Sequence, residues 1–126
     1  MSDCGVCLSA ENNFGDNDFE KWDAVFKTPM QCCECGRTIP AGEPHEKARY
    51  REEEGSSKFI TQHTCAICAE IAWAFFCESR LYECLWDYIV DDLFPKFSQA
   101  CLNRLKSPTA KAELQSRWMK WKGLAA

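Results

Sequence analysis

Histidine is scarce in this chain: only His45 and His63 occur among 126 residues. General acid–base chemistry near neutral pH therefore has few groups to draw on, and the chain reads as a non-enzymatic protein. Long apolar runs are missing too. No stretch approaches the roughly 20 residues that cross a bilayer, and the opening "MSDCGVCLSA" lacks the basic start and apolar core of a signal peptide. The expected setting is the cytoplasm, with no membrane partner. Internal repeats and low-complexity linkers are also lacking. The length suits about one domain, and a hydrophobic share of 46% with 13% aromatic residues argues against wholesale disorder.

Cysteine, by contrast, is abundant, with ten residues. In a reducing compartment thiols are seldom paired as structural disulfides, so so many of them need another employment. Six fall into three C-x2-C pairs, Cys4 with Cys7, Cys32 with Cys35 and Cys65 with Cys68. Each pair supplies two thiolates from one tight turn, which is the pattern of tetrahedral zinc.

The order of elements along the chain assigns the first ion. A knuckle at "QCCECGRTIP" precedes strand-like runs at residues 45–52 and 57–63, which flank a turn-forming "EEGSS" and read as a β-hairpin. From Thr64, a candidate N-cap, the pattern turns helical, so Cys65 and Cys68 fall on a first helical turn. Knuckle, hairpin and helix in this order make a treble-clef-like zinc finger, within a small α+β zinc-stabilised domain. Cys32, Cys35, Cys65 and Cys68 are its expected ligands, with Gly36 permitting the backbone twist after Cys35.

Cys33 raises a second question, because adjacent residues of extended chain point to opposite sides. Facing away from the first ion, it is free to join Cys4 and Cys7 on a second zinc. The fourth ligand is expected to be Cys77, with His63 as the alternative and His45 more distant. On an ideal helix Cys77 would lie on the order of 13 Å beyond Cys68 and about half a turn round, so it cannot share the first ion. Cys84 and Cys101, on helices with apolar neighbours, read as buried small hydrophobes.

Elsewhere, Phe19, Trp22 and Phe26 recur at helical spacing and suggest a short amphipathic helix covering the core. Further helices are expected over 81–92 and 96–105, interrupted by Pro95, and from an N-cap at Ser107 to a stop at Gly123. The organisation is thus a two-zinc module over 1–95 and a basic helical extension over 96–126 packed on it.

Neither catalytic zinc pattern that the residues invite is complete. A deaminase needs an H-x-E ahead of P-C-x2-C, and an HNH-type nuclease needs polar ligands on its helix, where "AICAEIAWAFF" offers only Glu70. Binding is left. From Lys96 onward seven Lys and Arg face one Glu, a net of +6 that leaves −10 for the rest of a chain whose net is −4. An acidic zinc module suits a protein partner, with the "REEEG" turn and Asp87, Asp91 and Asp92 as contacts. The alternative is nucleic acid, bound by the His45, Lys47, Arg49 and Arg51 side of the hairpin and by a C-terminal helix in which Lys111, Arg117, Lys120 and Lys122 interleave with Trp118 and Trp121. Leu114, Trp118 and Trp121 also form an apolar stripe, for which core packing is the first reading.

The runs "CCECGRTIPAGE", "HTCAICAEI" and "FFCESRLYECLWDYI", behind an N-terminal C-x2-C, resemble a family of small cysteine-rich proteins of tailed bacteriophages over residues 4–95. The resemblance implies a zinc-binding phage protein in a bacterial cytoplasm, and by analogy supports Cys33 and Cys77 as ligands. It carries no activity with it. The functional expectation is a zinc-stabilised phage protein that binds a host or phage protein complex, inhibition of a host defence system being one such role.

Overall fold

The computed structural model of the protein describes residues 4–8, 20–51, 57–76 and 82–125. Among the described residues five strands come first, β1 (Glu20–Ala24), β2 (Met30–Gln31), β3 (Thr38–Ile39), β4 (His45–Arg51) and β5 (Phe59–Cys65), and then helix α1 (Ala66–Phe75). A short helix α2 (Leu85–Tyr88) continues through a π-helical turn (Ile89–Leu93) into a 3-10 turn (Phe94–Lys96). Helices α3 (Gln99–Leu102) and α4 (Pro108–Ala125) complete the chain. The small α+β character expected from the sequence is present.

The hairpin forms as its alternation dictates. β4 and β5 are antiparallel with His45 opposite Cys65 and Arg51 opposite Phe59. Glu46, Ala48 and Tyr50 on β4 are buried, while Arg49 between them is exposed. The buried face packs Ala48 and Tyr50 against Tyr82, with the two tyrosine rings stacked 5.8 Å apart. Glu46 on that face accepts hydrogen bonds from Tyr82 Oη at 3.2 Å and from Trp73 Nε1.

One expectation is overturned at β1. The stretch around Trp22 is not helical over its described part: Glu20–Ala24 is β1, paired antiparallel to β4 with Trp22 opposite Lys47. Three aromatics at i, i+3 and i+7 span barely two helical turns, and pairing with the free edge of β4 satisfies the backbone just as well. Phe19 lies outside the described residues.

The helices follow the expected order with altered bounds. α1 is capped by Cys65 instead of Thr64. Cys84 is the N-cap residue of α2, and Glu34 Oε1 from the knuckle accepts the Leu85 N–H at 3.0 Å. The expected helix over 96–105 reduces to the single turn α3. Ser107 caps α4 as the sequence suggests, its Oγ accepting the Ala110 N–H at 2.9 Å, but the helix runs past Gly123 to Ala125.

The main core joins α1 (Ile71, Ala72, Phe75) to Leu85, Ile89 and Leu93 and to Leu102, Leu105, Ala110 and Leu114. Leu114 is fully buried. The Trp118 ring lies 4.6 Å from that of Phe97 and the Trp121 ring 5.7 Å from that of Phe94, both tilted, so the apolar stripe of α4 packs inward.

Candidate metal centre

The site is built from two short pieces of chain. β2 and β3 form a narrow ribbon, and between them Cys32 N–H donates to Arg37 O at 2.8 Å and Gly36 N–H to Cys32 O at 3.0 Å. The reversal needs a left-handed residue, and Gly36 has φ of +76°. That knuckle presents Cys32 and Cys35. Cys65 ends β5 and caps α1, placing Cys68 on the first helical turn.

The four sulfurs lie within 4.8 Å of one another. Tetrahedral zinc with Zn–S bonds of about 2.3 Å sets its sulfurs about 3.8 Å apart, and Cys35 Sγ and Cys65 Sγ are separated by 4.0 Å. Backbone amides aim at the sulfurs: Glu34 N–H and Cys65 N–H donate to Cys32 Sγ at 3.4 and 3.3 Å, and Cys68 N–H to Cys65 Sγ at 3.5 Å. The amino end of α1 adds its positive dipole. Cys32, Cys65 and Cys68 are buried and Cys35 is partly exposed, beside a cleft lined by Arg37, Ile67, Glu113 and Arg117. The Glu113–Arg117 ion pair of α4, at 2.6 Å, thus flanks the way in.

Without a cation the four thiols cannot all ionise. Hydrogen bonds from the Cys65 and Cys68 thiols draw Cys32 far below the ordinary thiol range. Donating those bonds, and then burial, drives Cys68 far above it. Burial likewise pushes Cys35 up to about 11. Cysteine sulfurs gathered this closely bind a metal ion as thiolates and release their protons as it binds. Four thiolates fill a tetrahedral shell and suit a soft, thiophilic ion.

Of the other expected ligands, Cys4 and Cys33 lie apart. Cys4 is disulfide-bonded to Cys101, 97 residues away. Cys33 does point away from the Cys32 cluster, but into the tyrosine cluster under the sheet: its N–H donates to His63 O at 2.8 Å and its Sγ lies 3.4 Å from Thr64 Oγ1. The N-terminal segment instead packs against the main core at the far end of α1, where Leu8 bridges Phe76. Cys4 and Cys33 therefore sit in separate clusters. Cys7 is also disulfide-bonded. Cys77 lies outside the described residues.

His63, the alternative ligand, bonds to the other histidine: His45 Nε2 and His63 Nδ1 are 3.0 Å apart, with His45 Nδ1 3.2 Å from Glu43 O. Phe26 touches both rings. The residue that spacing missed is Cys101. It is buried in the core as expected of a small apolar residue, and no local pattern announces its bond to Cys4.

No protein-family model matches the chain, and no curated protein or solved structure matches it either.

Proposed function

We propose that this protein is a zinc-stabilised binding module, not an enzyme, and that the exposed face of its sheet takes single-stranded nucleic acid. Zinc at Cys32, Cys35, Cys65 and Cys68 would make the knuckle, hairpin and helix a treble-clef-like unit, and a fully thiolate shell leaves no position for a catalytic water. A second zinc, held in part by the N-terminal Cys4 and Cys7, belongs to the same reading.

One observation carries the choice of ligand. On the solvent side of the sheet, cations alternate with aromatic rings. Lys47 Nζ lies 5.3 Å from the Trp22 ring and 5.1 Å from that of Phe26. Arg49 and Arg51 stand 3.8 and 4.9 Å from the Phe59 ring. Trp22 and Phe59 remain 40% and 39% exposed, so they have surface left for a base. Phosphates would meet the cations while bases stack on the rings, a combination suited to flexible single strands. The indoles of α4 are packed inward and do not join this surface.

The test is fluorescence anisotropy of a labelled single-stranded oligonucleotide across a salt series. Neutralisation of three phosphates gives a slope of log K against log salt of roughly −2, and Arg49→Ala or Arg51→Ala lowers its magnitude by about 0.7. Absence of binding at low salt refutes the reading. It would return priority to a protein partner, for which the exposed Asp87, Asp91 and Asp92 are the available contacts.

A further inference from the structure

We propose that in the reduced chain Cys4, Cys7 and Cys101 are thiolate ligands of a second metal ion of the zinc class, with the Arg104 guanidinium as the neighbouring cation. This rests on the zinc-module reading and names the residues of its second site.

Three observations converge there. Cys4 and Cys7 repeat the C-x2-C spacing of both halves of the first centre, which delivers two sulfurs from one turn. Cys101, fully buried on α3, brings its Sγ into covalent contact with that of Cys4. The site therefore gathers thiols from opposite ends of the chain, as the first centre gathers them from knuckle and helix.

Arg104 supplies the third observation. Its guanidinium clamps the segment that carries Cys4 and Cys7, donating to Cys4 O at 3.4 Å and to Val6 O, and lying 3.8 Å from Cys4 Sγ. It also donates to Ala74 O and covers the Phe75 ring. Among the described residues no carboxylate pairs with this partly buried cation. A cluster of three or four thiolates on one divalent ion carries net negative charge, and a guanidinium beside it offsets that charge. In the disulfide form the cation has sulfur and carbonyl dipoles and, among the described residues, no anion.

The two forms interconvert by ordinary thiol chemistry. A dithiol reductant gives two electrons and two protons to the Cys4–Cys101 bond and leaves as its own disulfide, and the bond of Cys7 is reduced in the same way. The freed thiols lose their protons to solvent as the ion binds.

The experiment compares the wild-type protein, prepared without chelator, before and after reduction with a dithiol, with excess zinc salt added to both forms and removed by gel filtration before counting. Zinc is counted by native mass spectrometry, and each cysteine's alkylation is mapped before and after chelation. The expected result is two ions in the reduced form and one in the oxidised form. Cys4, Cys7 and Cys101 should resist alkylation until chelation, and Cys33→Ser should keep both ions. A single ion in the reduced form overturns this proposal and leaves the first centre standing. No ion in either form overturns the zinc-module reading itself. Two ions in the oxidised form, rapid alkylation of Cys101 while two ions are bound, or loss of one ion in Cys33→Ser refutes the ligand assignment. The wild-type alkylation map decides whether or not the variant folds.

Discussion

Replacing Cys68 by serine removes one of four ligands while keeping the size and the helical position of the side chain. Structural zinc sites of this kind contribute an apparent 10–16 kcal/mol at neutral pH, so one ligand of four accounts for about 3–4 kcal/mol. That loss is large for this chain, because 126 residues at 0.05–0.15 kcal/mol each give a total stability of about 6–19 kcal/mol. The site is also within the core: Cys32, Cys65 and Cys68 are 1–2% exposed and touch the cluster that includes Ile71 and Leu85. Domains of this size lose about 3–5 °C for each kcal/mol, so Cys68→Ser should lower the melting temperature by about 10–15 °C. Thermal unfolding followed by circular dichroism, with and without chelator, measures it. Chelator should destabilise the wild type strongly and the variant much less. A variant that melts within 2 °C of the wild type, or a wild type indifferent to chelator, refutes the assignment of a stabilising metal to these four thiols.

Three other perturbations probe the surrounding fold. Leu114→Ala, at a fully buried position, should cost about 3–5 kcal/mol in denaturant unfolding, which a helix merely appended to the module would not. Gly36→Ala meets no atom closer than 4.0 Å but must hold φ at +76°. It should therefore cost about 1–2 kcal/mol, and Gly36→Asn less, in the same assay. Glu46→Ala leaves the Trp73 and Tyr82 donors without their carboxylate. A loss of about 0.5–1.5 kcal/mol per hydrogen bond follows, visible as lower stability with a changed tryptophan emission.

The first centre was legible because its ligands come as two local pairs. Each pair needs only a turn or a helix start, and both elements announce themselves through Gly36 and through the apolar spacing of Ile67, Ile71, Ala74 and Phe75. The hairpin was legible for a similar reason, its alternation being strong enough to set the register of β4 on β5. Long-range pairing was not. The bond between Cys4 and Cys101 depends on where α3 docks, which is decided by Leu102, Leu105 and Leu114 finding the core, and no local spacing encodes that. The stretch of β1 reads two ways because Phe19, Trp22 and Phe26 fit a short helix while Trp22 fits a strand as well, and the deciding factor is the free edge of β4. The opposed directions of Cys32 and Cys33 were inferable from extended backbone, but what Cys33 meets under the sheet depends on Tyr82, another distant residue.

The most direct test of the account is X-ray absorption at the zinc edge on protein purified without chelator and mutated at Cys4 and Cys7, so that only the first centre contributes. Four sulfur scatterers at about 2.3 Å are the predicted result. Oxygen or nitrogen in the first shell, or no zinc at all, would contradict it.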